Sequence, residues 1–346
     1  MLSVTEDGLY CAAGDFHIDP WRPVGRALIT HAHSDHARAG SRAYLCADEG
    51  VGVLRLRVGD GAGIEGLRHG ETIRVGDVGV SFHPAGHVLG SAQIRLEHRG
   101  EVWVVSGDFK THADPTCAPF EPVRCHTFVT ECTFGLPIYR WPDPDAVFAD
   151  INGWWRANQG AGRTSVLFGY SLGKAQRLLA GVDAGVGPIL VHASIAAFLP
   201  AYAAAGVRLP RVETATVAGV RASAGRALII APPAAASAPW LDAAGDVSEG
   251  CASGWMLVRG NRRRRGADRG FVLSDHADWP GLIGAIRATG AGRVLATHGM
   301  TGPLVRWLNE NGWRAEALPT RYAGDVAEED LPRDGADGRA GNPQDG

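Results

Sequence analysis

The segment His31-Ala32-His33-Ser34-Asp35-His36 places three imidazoles and one carboxylate within six consecutive positions. Imidazole nitrogens and carboxylate oxygens are the donors that a borderline-soft divalent cation such as zinc prefers. The segment follows the apolar run Ala27-Leu28-Ile29-Thr30, so it reads as a strand ending in a metal-binding loop. Side chains on so short a loop can point two ways, and four donors here imply two metal ions rather than one. A polar loop that merely contains histidines is the bland alternative. The full His-x-His-x-Asp-His spacing after a strand is far more specific than a lone His-x-His.

Three further donors stand at strand ends. His87 lies in Pro84-Ala85-Gly86-His87-Val88-Leu89-Gly90-Ser91, between two strands, where the flanking glycines let the backbone bring its ring close to a metal. Asp108 ends the near-continuous apolar run Val102-Trp103-Val104-Val105-Ser106-Gly107, and His298 ends Val294-Leu295-Ala296-Thr297. Any one of these could be a satisfied polar group at a strand end. Together with the His31 loop they point to a metal centre, because rigid strand ends hold ligands in fixed geometry.

The elements that must position these groups fall into three stretches. Ala27–Thr30, Val78–Phe82, Ala92–Glu97, Val102–Ser106 and Thr127–Thr130 read as short strands separated by Gly, Pro or Asp. From about Pro144 the texture becomes alternating helix and strand. Val166–Tyr170 is a strand, followed by a helix through Leu172, Ala175, Leu178 and Leu179, with Ser171 placed to cap it. Pro188–Val191, a helix over Ser194–Ala205 and a strand at Ala227–Ile230 continue a small α/β unit with a parallel sheet. After Trp255 the first texture returns, with strands at Phe271–Leu273 and Val294–Ala296 and helices over Pro280–Ala288 and Pro303–Asn311. The reading is therefore one domain over 1–143 and 255–323, interrupted by an inserted α/β domain over 144–254. Residues 324–346 are rich in Asp, Gly and Pro and read as a disordered acidic tail.

A chain of 346 residues with 45% hydrophobic and 21% charged residues is ordinary for globular domains. Its net charge of -3 excludes a uniformly basic nucleic-acid binder but leaves room for a local basic patch. No stretch approaches the roughly 20 apolar residues of a membrane span, and Met1–Asp15 lacks the pattern of a secretion signal. Cys11, Cys46, Cys117, Cys125, Cys132 and Cys251 show no C-x-x-C spacing and read as reduced, buried thiols. A cytoplasmic location is expected.

With these residues in place, the sequence resembles the metallo-β-lactamase superfamily, through His31-Ala32-His33-Ser34-Asp35-His36, His87, Asp108 and His298 in that order. The resemblance implies an αββα sandwich with an inserted domain. By position, His31, His33 and His87 would hold a first metal; Asp35, His36 and His298 would hold a second, and Asp108 would bridge them. Zinc is the expected metal, with manganese as the other candidate. Asp19, in Ile18-Asp19-Pro20-Trp21, matches the superfamily's first acidic motif and would orient a ligand imidazole; Asp15 competes for that role. Gly86-His87-Val88-Leu89-Gly90-Ser91, Thr130-Glu131-Cys132-Thr133-Phe134-Gly135, Leu273-Ser274-Asp275-His276-Ala277-Asp278 and Gly173-Lys174-Ala175-Gln176 are similar to motifs of its nucleic-acid-cleaving β-CASP branch. That likeness implies phosphodiester hydrolysis by two metals about 3.5–4 Å apart. His276, oriented by Glu131, would then be the general acid.

Arg259, Arg262, Arg263, Arg264, Arg265 and Arg269 cluster before the segment that delivers His276. Such a run is often a solvated loop, but beside a phosphodiesterase site it suits backbone phosphates. Trp154, Trp155, Trp240, Trp255 and Trp279 could stack on bases, or lie in the core. A cleft between the two domains would suit a single strand threading to the metals.

Within the branch the chain is most similar to bacterial ligase-associated DNA exonucleases. The supporting stretches are Gly14-Asp15-Phe16-His17-Ile18-Asp19-Pro20-Trp21-Arg22-Pro23-Val24 and the Arg-rich run through Asp268-Arg269-Gly270-Phe271-Val272-Leu273-Ser274-Asp275-His276-Ala277-Asp278-Trp279. This implies a DNA-repair nuclease acting on single-stranded DNA or strand ends, with a DNA ligase or helicase as partner. His298 departs from that pattern. Eukaryotic DNA-cutting members of the branch tend to carry Val there and RNA-processing members His, which leaves RNA 3′-end processing or decay as the alternative.

Overall fold

Thr127–Cys132 is buried at all six positions, which a strand requires when both faces of its sheet are covered. The computed structural model describes residues 1–258, 260 and 267–320, and among these the strands form three sheets. The first sheet runs in chain order through Leu2–Thr5, Gly8–Cys11, Phe16–Ile18, Arg26–Leu28, Ala43–Ala47 and Ile64–Leu67. The second is ordered Arg314–Ala317, Arg293–Gly299, Thr127–Cys132, Glu101–Val105, Ala92–His98, Val78–Pro84, Thr72–Val75. The strand runs expected in the first part of the chain are present, displaced at their ends by at most two residues.

The two sheets pack face to face. One core joins Phe16, Leu28 and Leu45 of the first sheet to Phe82, Ile94 and Val129 of the second. The outer face of the second sheet, with Val104, Phe128 and Val294, is covered by the helices Trp279–Thr289 and Thr301–Glu310. Ala27, Tyr44 and Cys46 on the outer face of the first sheet meet the helix Val51–Val58 and also Leu172, Phe198 and Tyr202. The layering is helix, sheet, sheet, helix.

The third sheet is parallel throughout and ordered Glu213–Thr214, Ile189–Val191, Leu228–Ala231, Thr164–Phe168, Val247–Ala252, Arg269–Phe271. The helices Pro144–Gly160 and Lys174–Gly181 pack on one face, and Val217–Ser223 and Pro239–Asp242 on the other. Three local expectations differ. Ser171 does not cap its helix: Gly173, at φ 85°, is the N-cap, its N–H donates to Gln176 Oε1 at 2.7 Å, and the Ser171 hydroxyl pairs with Ser194 at 2.8 Å. The helix expected over Ser194–Ala205 is two short ones, Ala193–Ala196 and Leu199–Ala204, with Pro200 in the first turn of the second. The strand expected at Phe271–Leu273 lies at Arg269–Phe271 and belongs to the third sheet, so that sheet runs past Gly254.

All six cysteines are free; Cys117 and Cys125 are only half-buried, the others buried. No helix among the described residues is long and apolar enough to cross a membrane. Residues 324–346, expected as a tail, lie outside the described residues.

Candidate metal centre

The C-terminal ends of the parallel strands carry the expected donors to one place. His31 and its loop follow Arg26–Leu28, Asp108 follows Glu101–Val105, and His298 sits near the end of Arg293–Gly299. His87 enters from the turn between the antiparallel strands Val78–Pro84 and Ala92–His98. Within the ligand loop, the amides of His36 and Ala37 both donate to His33 O, at 3.1 and 2.8 Å. This helical turn sends His31 and His33 to one side and Asp35 and His36 to the other. The donor atoms of His31, His33, His87 and Asp108 lie within 4.8 Å of one another, as do those of Asp35, His36 and His298.

The first group has the shape of a metal cap. The rings of His31, His33 and His87 are mutually near-perpendicular, at 84–86°, with every pair of centroids 4.8 Å apart. Each ring has its outer nitrogen occupied. His33 Nε2 donates to Leu172 O at 3.2 Å and His87 Nδ1 to Asp275 O at 2.7 Å. Thr30 Oγ1 donates to Asp19 Oδ2 at 2.5 Å and so accepts from His31 Nδ1 at 3.1 Å. These partners fix the tautomers. Lone pairs on His31 Nε2, His33 Nδ1 and His87 Nε2 therefore converge, with His33 Nδ1 3.1 Å from each of the other two. Two donors about 2.1 Å from one tetrahedral ion would stand about 3.4 Å apart. Lone pairs this close repel unless a cation lies between them.

Asp108 Oδ2 lies 3.6 Å from His31 Nε2, 3.8 Å from His87 Nε2 and 3.5 Å from His36 Nε2, between the two groups. In the second group His36 Nδ1 donates to Asp19 Oδ2 at 2.7 Å. Its Nε2 is buried without a hydrogen bond, 3.7 Å from Asp35 Oδ2. His298 stacks on His36 with centroids 5.1 Å apart. It occupies a β-bulge: Glu131 pairs with Thr297 and Cys132 with Gly299, leaving His298 as the extra residue at φ 51°. The bulge turns the imidazole out of the ladder toward the site.

Burial, aided by neighbouring imidazoles, pushes the pKa values of His31 and His87 well below the ordinary histidine range. Burial also acts on His36, but Asp108, Asp35 and Asp19 outweigh it and raise that pKa. For Asp108 burial is opposed and overcome by His36 and the other rings, which hold the carboxyl well below its usual range. His31 and His87 are thus held neutral beside an ionised Asp108, as a divalent cation needs, whereas His36 must give up its proton before it can bind one. The donor atoms therefore fit metal binding, with His31, His33, His87 and Asp108 forming one candidate cluster and Asp35, His36 and His298 another.

Asp19 is the acidic residue behind the ligands: Oδ1 accepts from Thr30 N at 2.8 Å, while Oδ2 holds Thr30 Oγ1 and His36. Asp15 instead accepts from the exposed Tyr10 hydroxyl at 2.9 Å. Thr30, which in sequence only ends an apolar run, links Asp19 to His31. Gly107 makes room for it. At φ +57°, a Cβ on Gly107 would stand 2.5 Å from Thr30 Cβ. Gly107→Ala is expected to destabilise the fold by about 2–4 kcal/mol, from the left-handed strain and the clash together, read by denaturant unfolding.

Glu131 and His276 form a second pair beside the candidate ligands. His276 Nδ1 donates to the Glu131 carboxylate, 2.8 and 3.0 Å from its two oxygens. Phe109 N and the Thr133 hydroxyl also donate to that carboxylate, at 2.9 and 2.6 Å. Thr133 was not singled out in the sequence. The His276 ring lies 4.8 Å from that of His87. A cleft opens over these groups, and Tyr170, Lys174, Ser253 and Gly254 form its third-sheet wall. Tyr170, Ser253 and Gly254 follow the C-terminal ends of adjacent parallel strands, where open parallel sheets place their ligands.

The arginine run is less informative. Arg259, Arg262, Arg263, Arg264 and Arg265 lie outside the described residues. Arg269 is exposed, paired with Asp150, and packed over Phe271 at 5.6 Å. Trp154, Trp155, Trp240 and Trp279 are buried in the core, so stacking on bases is not open to them. Trp255 is half-buried against Phe134 and Tyr139.

No family model matches the chain. It is 32% identical over 315 residues to a protein of Opitutus terrae named "Probable DNA ligase", covering 90% of this chain and 30% of that protein. The chain thus spans less than a third of that relative's length. Among solved structures, it is similar to a protein of unknown function from Enterococcus faecalis V583, with a TM-score of 0.58 and 15% identity. That likeness covers 87% of this chain and 80% of the other, and it is a likeness of fold.

Proposed function

We propose that the chain is a two-metal phosphodiesterase of the metallo-β-lactamase superfamily, in its β-CASP branch, and that it acts as an exonuclease on DNA strand ends. In this reading residues 1–143 and 255–323 form the αββα sandwich, 144–254 the insertion and 324–346 an acidic tail, with the insertion's sheet borrowing Arg269–Phe271 from the returning chain. The observation that carries the reading is the convergence of three imidazole lone pairs at 3.1 Å beside Asp108, in tautomers held by outer partners. Two divalent cations, zinc or manganese, would supply a water of lowered pKa and offset charge on the phosphoryl oxygens.

The rest of the chemistry belongs to the side chains. Asp19 orients His36 and, through Thr30, His31. Glu131 orients His276 and stabilises its imidazolium, so that Nε2 can hand a proton to the departing oxygen. The cleft under Tyr170, Ser253 and Gly254 would lead a strand end toward the metals. DNA is favoured because the relative covering 90% of this chain is named a probable DNA ligase, and removal of damaged ends suits a step before sealing. RNA end processing is the second reading, favoured by the histidine at position 298.

The test is cleavage of end-labelled single-stranded DNA and RNA of one sequence with zinc or manganese, using Asp108→Ala as the blank. Metal-dependent shortening of DNA over RNA is the expected result. Preferred cutting of RNA would install the second reading, and no cleavage of either would remove both.

A further inference from the structure

The cleft floor rests on five buried charges that the reaction above does not use. Lys110 and Asp114 come from the segment after Asp108, Lys174 and Arg177 from the helix Lys174–Gly181, and Asp275 from the segment entering His276. Lys110 Nζ lies 2.6 Å from Asp114 Oδ2, and Lys174 Nζ 2.9 Å from Asp275 Oδ2. Arg177 reaches Asp275 Oδ1 at 3.3 Å and Asp114 Oδ2 at 3.6 Å. Replacing such a cluster with apolar residues is often neutral or stabilising, so stability alone is weak grounds for it.

The backbone beside it suggests the reason. Four successive carbonyl oxygens are held by side chains from other segments. Lys174 Nζ donates to Leu273 O at 2.6 Å, Arg177 donates to Ser274 O, His87 Nδ1 to Asp275 O at 2.7 Å and Trp141 Nε1 to His276 O at 2.9 Å. The third-sheet helix holds the first two carbonyls, the third accepts from His87, and Trp141 holds the fourth.

We propose that Lys174 and Arg177, acting through Asp275, are positioning residues that set the Asp275 carbonyl and thereby aim His87 at the first metal. The proposal rests on the reading of His87 as a ligand. Moving a ligand's outer partner lowers metal affinity by about 10–100-fold, and Arg177 acts one step further out, so the lower end applies.

The experiment is zinc titration of the full chain against a competing chelator, with Arg177→Met and Arg177→Lys beside wild type and with the fold checked by circular dichroism. His87→Ala identifies the first site's signal. Arg177→Met is expected to weaken the first site about tenfold and leave the site of Asp35, His36 and His298 unchanged, with a smaller loss at the first site in Arg177→Lys. Equal weakening of both sites would mark a purely structural role and overturn the proposal, as would unchanged affinity at both. If Arg177→Met does not fold, Arg177→Lys decides by the same criterion. A wild-type chain that binds no zinc would overturn the metal reading and the proposal together. Zinc binding without any nuclease activity would overturn only the function proposed above.

Discussion

Asp108→Ala is expected to release both metal ions on dialysis and to abolish turnover, whereas a change at any single histidine should leave one site occupied. The difference follows from position. Asp108 Oδ2 lies 3.5–3.8 Å from ring nitrogens of both donor groups, His31 and His87 on one side and His36 on the other. Neutral imidazoles supply no charge to offset a divalent cation, so the carboxylates carry that task, and the first group contains no other acid. Removing Asp108 leaves that group three lone pairs and no anion. The second group keeps Asp35 but loses the carboxylate nearest His36 Nε2. Metal content per chain, measured after exhaustive dialysis, checks the expectation. Retention of two ions with wild-type affinity would mean that Asp108 bridges nothing.

The candidate donor clusters were legible because metal donors are chemically conspicuous and stand where hydrophobic runs stop. The four donors between His31 and His36 need only a local turn to sort them into two groups, and Asp108 needs only the strand before it. What could not be read depends on contacts distant in sequence. Thr30 becomes a hinge between Asp19 and His31 only when Arg26–Leu28 lies beside Phe16–Ile18. The bulge that turns out His298 is a property of its pairing with Thr127–Cys132, and no residue at 298 announces it. The outer partners of His33 and His87 are backbone carbonyls of Leu172 and Asp275, 139 and 188 positions away, and a carbonyl carries no sequence signature. Ser171 illustrates the opposite failure. Its type suits a cap, but Gly173 can adopt φ 85° and Gln176 closes the turn from within the helix. The tryptophans stayed undecided for a third reason: a large ring is equally fit for a base or a core, and burial, which decides between them, is a tertiary property.

His276→Ala is expected to keep both metals yet lose turnover by about 10²–10⁴-fold, the usual worth of a positioned proton donor. His276 Nδ1 is committed to Glu131, whose carboxylate also holds Phe109 N and the Thr133 hydroxyl. Glu131 is thus anchored by the backbone, and its bond to His276 leaves Nε2 as the nitrogen that can exchange a proton with substrate. Glu131→Gln sharpens the test. Its amide oxygen can still accept from Nδ1 but no longer stabilises an imidazolium, so turnover should fall by less than in His276→Ala, with metal content again unchanged. A buried histidine of only structural importance would behave differently, with activity following the folded fraction in an unfolding titration and Glu131→Gln lowering stability without altering turnover per folded chain. The remaining possibility is that His276 binds metal itself, since Asp108, Glu131 and His276 also bring their donor atoms within 4.8 Å. In that case His276→Ala would lose an ion along with its activity. Measuring metal and turnover on the same preparation separates proton donor, structural group and ligand.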